Sequence, residues 1–356
     1  MPSLPSLRVA VWGTGGVGRN AVQSIARRPD LDLVGVWVHS PDKVGQDVGT
    51  LTGGEPLGLA ASGDADELLA RDLDCVVYAA SDGGLRAFAV DDYVRLLEAG
   101  VDVVTVTTPA LIHPPAYDPV ARARLEDAAR RGGATLYASG IEPGFAGDHL
   151  VALLLTLSRR VVSVRAQEIF SYANYPVATT MFDVFGFGRP LEHTPVMAMP
   201  GVQQGTWGPV VHMVAAALGV ELDEVRETYE RELTDRRLEV ACGVIEPGTV
   251  GAVRFETIGV VGGRDAIVLE HVNRMAPDVA PHWPTAPQDG TYRIVVDGEP
   301  SMRCDLVLGS SPETSSPDGM LATTMRVVNA IPAVCAAPPG LVTALDLPLT
   351  LPRGAL

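Results

Sequence analysis

Five short, β-branched apolar runs punctuate the first 140 residues: LRVAVW, LVGVWVH, CVVYAA, VDVVTVT and ATLYASG. Stretches with apolar positions at helical spacing separate them, over residues 16–27, 64–71, 91–99 and 119–131. Near-continuous apolar strands alternating with amphipathic helices predict βαβ units around a parallel sheet buried on both faces. Taken as strands one, two, four, five and six of a doubly wound sheet, they predict an α/β Rossmann-type domain over residues 1–147.

Beyond Gly147 the pattern changes. A helix is expected over 148–157, a strand over 161–170 and then an irregular aromatic segment. Residues 251–261, 266–275, 292–297 and 302–308 alternate as antiparallel strands, with GGRD and DGEP as turns. Together they predict a second α+β domain over 148–318, built on a mainly antiparallel sheet. SSPETSSPDG, residues 310–319, has the composition of a linker. A helix from about residue 320 to 335 and a Pro-rich tail follow it, and 319–356 is expected to pack back on the first domain.

Composition narrows the function classes. With 27 Lys plus Arg against 43 Asp plus Glu, the net charge of −16 repels phosphate backbones and anionic lipid. Neither nucleic acid nor membrane is therefore an expected partner. The N-terminus runs straight into strand-like sequence without a basic and apolar leader, and the longest apolar stretches are far short of the ~20 residues that span a bilayer. Four widely spaced cysteines form no CxxC pair, and the histidines have no metal-ligand spacing, so no disulfide framework or metal is expected. A cytoplasmic protein fits these features.

The strongest motif is Gly13-Thr14-Gly15-Gly16-Val17-Gly18, set between the first strand and a helix. Gly13 permits the tight turn, Gly15 lets backbone approach a pyrophosphate, and Gly18 lets the helix lie against the strand. The helix N-terminus then faces the phosphates. The second strand ends in VHSPDK, where an NAD-specific site usually carries an acid for the ribose hydroxyls. His39, Ser40 and Lys43 can instead hydrogen-bond a 2′-phosphate, so NADP is the expected cofactor, with NAD accepted. The competing reading makes His39 and Lys43 ordinary loop residues.

In such a sheet the ligand lies beyond the carboxyl ends of the strands, which selects residues 79–84, 105–115 and 139–145. Ala79, Ala80 and Ser81 are small enough to let a cofactor pass, and Thr107 and Thr108 offer hydroxyls. Glu142, between Ile141 and the turn Pro143-Gly144, is a candidate proton donor or ammonium anchor. Its alternative is a solvent-facing acid or a cap for the next helix. Only Arg86, just beyond the first segment, adds a cation, so no clamp for a substrate carboxylate is expected. Six of the 19 aromatics fall within residues 170–187, which suggests a pocket wall, lid or subunit interface. Phe145, Tyr172, Tyr175, Met181 and Phe182 are the candidate pocket residues.

GTGGVGRNAVQSIARRPDLDLVGVWVHSPDKVGQDVG, ASGIEPGFAGDHL, VIEPGTVGAVRFETIGVVGG and VVNAIPAVCAAPPGLVTALDLP together resemble the native amine dehydrogenases and 2,4-diaminopentanoate dehydrogenases, which carry a dihydrodipicolinate-reductase-like N-terminal domain. The resemblance runs along nearly the whole chain, and the PGF turn and NAIP…PPGL…DLP ending are its most specific parts. It implies NAD(P)H-dependent reductive amination of a ketone or aldehyde with ammonia, the reverse deamination, and a homodimer. One departure stands out. Where family members carry a glutamate in a TCEEL-like stretch, this chain reads Thr107-Thr108-Pro109-Ala110-Leu111. Glu142 is the candidate to assume that role, with Thr107 and Thr108 beside it. Two other functions stay open, an imine or carbonyl reductase whose turnover needs no ammonia, and a cofactor-binding protein without turnover.

Overall fold

The computed structural model describes residues 6–81, 87–287 and 290–354. The chain forms two compact units, one of residues 1–144 with 320–356 and the other of residues 145–319. The division falls after Gly144, at the end of the PGF turn's glycine, three residues before the expected boundary.

The first unit is a six-stranded parallel sheet. Its strands are β1 (Leu7–Trp12), β2 (Leu31–Trp37), β3 (Cys75–Tyr78), β4 (Asp102–Thr105) and β5 (Thr135–Ala138), joined through α1 (Gly16–Ile25), α2 (Val48–Leu51), α3 (Ala65–Leu69), α4 (Ala87–Glu98) and α5 (Pro119–Gly132). β3 to β5 are buried at every position except the first of β4, as strands covered on both faces must be. Local chemistry sets several boundaries: Asp64 caps α3 by accepting from Asp66 and Glu67 N–H, and Asp118 caps α5, which Gly133 ends at φ 70°. With β14 (Gly340–Val342) at one edge, the spatial order is β14-β5-β4-β3-β1-β2, so the sheet reverses its winding at β1. That outermost strand, β14, comes from the far end of the chain.

The second unit contains α6 (His149–Leu155), β6 (Arg160–Ser171), α7 (Val202–Leu218), β7 (Glu224–Leu233), the small hairpin β8 (Leu238–Val240) and β9 (Gly243–Ile245), then β10 (Val250–Val261), β11 (Arg264–Arg274), β12 (Gly290–Glu299) and β13 (Met302–Leu306). The large sheet has the order β13-β12-β6-β11-β10-β7. It is mixed, because β6 and β11 run parallel while the other neighbours are antiparallel.

Three sequence expectations change. The stretch expected as a linker is traversed by α8 (Pro312–Val328), and the expected helix over 320–335 divides into the end of α8 and a separate short α9 (Ile331–Val334). Ser, Pro and Gly marked a loop by composition, but Pro312 takes the first helical position, Pro317 is carried inside the helix, and a buried face further on holds it. The expected irregular segment contains a π-helical turn, Thr179–Val184. Among the described residues, no helix is long and apolar enough to cross a membrane.

Candidate functional site

The glycine loop joins β1 to α1 at the winding reversal. Gly13 has φ +96°, and a Cβ there would meet the Ala79 carbonyl oxygen and Ala80 Cα at 2.9 Å. A Cβ on Gly18 would sit 2.0 Å from the Gly13 carbonyl oxygen, so this glycine sets how closely α1 approaches the turn. Gly15 differs. It is exposed, and nothing lies within 4 Å of its would-be Cβ. Open space above a glycine that N-caps a helix, with no side-chain cap and no acid in the first turn, leaves backbone donors and the positive helix end for an anion. Gly16 is also exposed, facing the Met320 thioether 3.3 Å from its would-be Cβ, and Val17 is half-buried. The loop thus has the cradle a pyrophosphate requires.

Cations approach this loop from two sides. Lys43 Nζ, in the turn after β2, donates to Thr14 Oγ1 at 3.3 Å. Arg19 Nε, on the first turn of α1, donates to the Thr14 carbonyl at 3.3 Å. Arg19 is not among the residues the glycine motif selects, although it follows Gly18 directly on a helix with an uncapped N-terminus. Ser40 is half-buried and His39 exposed, its ring edge-on to Trp37 at a centroid distance of 6.1 Å. No carboxylate among these residues opposes a 2′-phosphate except exposed Asp42.

At the ends of β3 and β4, half-buried Thr107 donates from Oγ1 to the Ala80 carbonyl at 3.0 Å, tying the two strand ends together. Ala79 is likewise half-buried and Ser81 exposed. Asp82, Gly83, Gly84 and Arg86 lie outside the described residues. Thr108 points elsewhere. It is 5% exposed, with its hydroxyl 3.1 Å from the buried Tyr93 hydroxyl, which is also 2.8 Å from Thr105 Oγ1. Its hydroxyl therefore anchors the loop to α4, a packing role the sequence did not distinguish from a catalytic one.

Glu142 lies in the tight turn after β5. Ser139 Oγ donates to the Gly144 carbonyl at 2.9 Å, and a Cβ on Gly144, at φ +122°, would fall 2.0 Å from Gly140 N. This closed turn holds Glu142 half-buried, with Oε1 shut off from solvent. From α8, more than 180 residues along the chain, Arg326 Nη2 donates to the Tyr137 hydroxyl at 3.1 Å and to the Gly144 carbonyl at 3.3 Å. The expectation of a cation-poor strand end is thus corrected. Arg326 was invisible because only the return of α8 brings it there.

The second unit carries its own polar cluster, inside the aromatic segment's packing. Met181, Phe185 and Phe187 are buried in its core, with Tyr172, Tyr175 and Phe182 packed against it. Met181, at 1% exposure, is a core residue rather than a pocket wall. Phe182 covers Gly188 and Gly243, and Phe145 stands edge-on to His149. On the sheet, Glu168 of β6 lies opposite His271 of β11, which lies opposite Phe255 of β10. Phe255 and His271 stack at 4.4 Å, and Trp207 of α7 covers His271 at 4.7 Å.

Glu168 is 8% exposed. The Tyr172 hydroxyl donates to its Oε1 at 2.7 Å, Asn273 Nδ2 donates to the same oxygen at 3.5 Å, and His271 Nε2 lies 3.8 Å from Oε2. Burial pushes its carboxyl up to about 6, against the two hydrogen bonds, which pull it down. Burial also pushes His271 down to about 3 and lifts the Tyr172 hydroxyl well above the usual range. The sequence signal is the adjacent pair Gln167-Glu168 at the buried centre of β6, followed by apolar Ile169.

A parallel sheet reversing at β1, an uncapped helix behind a glycine turn and a mixed-sheet domain together define a Rossmann-type dehydrogenase fold. Residues 7–131 match the family model of the dihydrodipicolinate reductase N-terminus, and residues 145–354 match that of the 2,4-diaminopentanoate dehydrogenase C-terminal domain. The chain is 39% identical to an amine dehydrogenase of Streptomyces virginiae over 98% of both chains. It is 23% identical to the 2,4-diaminopentanoate dehydrogenase of Acetoanaerobium sticklandii, over 97% of this chain and 94% of that one. An amine dehydrogenase structure from Mycobacterium smegmatis shares the fold, with a TM-score of 0.76 at 24% identity, covering 98% of this chain and 97% of the other. The protein belongs to the family of amine dehydrogenases and 2,4-diaminopentanoate dehydrogenases.

Proposed function

We propose that the protein is an NADP-preferring amine dehydrogenase that joins small ketones or aldehydes to ammonia, and runs the reverse deamination. The observation that carries this reading is the open cradle at Gly15, in a chain that belongs to an amine dehydrogenase family along its length. Bound there, reduced nicotinamide supplies a hydride to an iminium carbon, so that carbonyl, ammonia, NADPH and a proton become amine, NADP⁺ and water. The uncapped N–H groups of α1 hold the pyrophosphate, Lys43 and Arg19 favour a 2′-phosphate, and Ala79, Ala80 and Thr107 border the cofactor's path. Glu142 stabilises the cationic iminium and supplies the proton that expels water from its carbinolamine precursor. A homodimer in the cytoplasm, suggested by the family resemblance and by four free cysteines, completes the proposal.

The test is NADPH oxidation in the presence of ammonium and a panel of short aldehydes and cyclic ketones. Consumption that requires both ammonium and carbonyl supports the reading; consumption without ammonium would assign the protein to carbonyl or imine reduction. Glu142→Ala should lower the rate at least ~100-fold. A loss below ~3-fold would leave Glu142 a structural part of its turn.

A further inference from the structure

The cluster around Glu168 has an unbalanced hydrogen-bonding inventory. Asn273 is fully buried and, with its amide nitrogen turned toward Glu168, its Oδ1 has no partner. His271, 2% exposed, has its Nε2 turned toward Glu168, and Nδ1 has no partner. Neutral imidazole with a proton on Nε2 makes Nδ1 an acceptor. Asn273 Oδ1 and His271 Nδ1 are thus two unpartnered acceptors on buried side chains that border the Glu168 carboxylate. Trp207 Nε1 is the only unpartnered donor among these four side chains. Leaving such groups unpaired costs about 1–3 kcal/mol each, so the composition of the nest calls for a ligand rich in donors. The rings of Trp207, Tyr172 and Phe255 beside it are surfaces that favour a cation over a neutral donor.

We propose that Glu168, Asn273 and His271 form an anchoring site for a protonated nitrogen, either ammonium itself or the ammonium group of an alkylamine. The site rests on the reading of the protein as an amine dehydrogenase for its place in turnover, and on the second unit's geometry alone for its existence. It assigns Glu168 to ground-state binding of the nitrogen compound, apart from the proton transfer given to Glu142. A protonated nitrogen there donates to the Glu168 carboxylate and to Asn273 Oδ1, while His271 Nε2 borders the other carboxylate oxygen. His271 stays neutral throughout the working range, and Tyr172 stays protonated, so Glu168 is the group whose ionisation controls the site. Two further tyrosines stand beside the site, Tyr292 of β12, opposite Glu168 in the register, and Tyr175, whose ring lies 6.0 Å from that of Tyr172.

Calorimetry on the full chain with pentylammonium, ammonium chloride and neutral pentanol tests this, at 0.3 M salt to suppress attraction to the acidic surface. Pentylammonium should bind the wild type and bind Glu168→Gln on the order of tenfold more weakly, with pentanol equal for both. In the wild type, pentylammonium affinity should fall as pH drops below about 6, approaching tenfold per unit as the carboxylate protonates. This titration needs no variant, so it decides the matter even if Glu168→Gln does not fold. Pentylammonium binding more tightly than ammonium assigns the site to the amine, and the reverse assigns it to free ammonia. No binding of either pentylammonium or ammonium to the wild type, equal binding to both proteins, or affinity flat between pH 5 and 8 would overturn the proposal. Since binding is read without turnover, an enzyme that fails the ammonia-dependent assay yet binds pentylammonium through Glu168 overturns the proposed function and leaves the site standing.

Discussion

Two glycines three residues apart serve different ends. Gly15 has empty space where a methyl group would go, whereas Gly18 is pressed against the Gly13 carbonyl. Gly15→Ala should therefore fold with unchanged melting temperature and bind NADPH on the order of tenfold more weakly, because the methyl group occupies the phosphates' approach. Gly18→Ala should lose roughly 2–3 kcal/mol of stability before any cofactor is added. Thermal melts and NADPH fluorescence titrations of both variants separate the two roles. Lys43→Ala should weaken NADPH by about 1.5 kcal/mol, near tenfold, and leave NADH almost unchanged, as expected for a charge-assisted bond to a phosphate that NADH lacks. An unaltered NADPH to NADH affinity ratio would return Lys43 to the ordinary loop.

Among elements, α8 does most to complete the first unit. It runs from the second unit's last loop, sets Met320 beside Gly16, and carries Arg326 to the turn that holds Glu142. Val327, Val328, Ile331 and Val334 that follow are fully buried, and β14 then adds the sheet's outer strand. A chain ending at residue 318 loses all of these and should be recovered unfolded or aggregated, since removing four buried aliphatic side chains alone forfeits several kcal/mol. Circular dichroism and solubility of that truncation check the expectation.

The elements that local pattern controls were legible in the sequence: β1, α1 and the glycine loop between them, and the run that became β5. Glu142's turn could be located too, but not Arg326 beside it, because nothing local in α8 records which strand end it will meet. Thr107 and Thr108 show the same limit at finer grain. Adjacent and chemically identical, they differ only in which one the buried Tyr93 holds. Glu168 was readable as an anomaly, a carboxylate inside a strand, but its partners are set by the parallel pairing of β6 with β11, which the expectation of a mainly antiparallel sheet did not specify.

For the molecule as a whole, the net charge of −16 and the position of its buried acids give stability an unusual dependence on pH. Asp102, at the start of β4, accepts from Thr135 N–H at 2.6 Å, and burial raises its carboxyl to about 6. Glu168 is raised to about the same value. Each group binds its proton more tightly folded than unfolded, so stability is highest below the unfolded pKa and falls as pH rises toward the folded one. Partly exposed acids such as Asp30, Asp278 and Asp305 are held down by arginines and act oppositely, losing their contribution as pH drops below about 4. The melting temperature should therefore peak near pH 4 and decline to about pH 6 as the unfolded chain's carboxylates ionise, and self-repulsion of the acidic surface acts in the same direction above that. Asp102→Asn removes one raised acid while keeping an acceptor for Thr135. Its stability advantage over wild type should grow by on the order of 2 kcal/mol between pH 4 and pH 8. Urea unfolding of both proteins at those two pH values measures this difference, and an advantage independent of pH would mean that Asp102 titrates in the fold as it does in the unfolded chain.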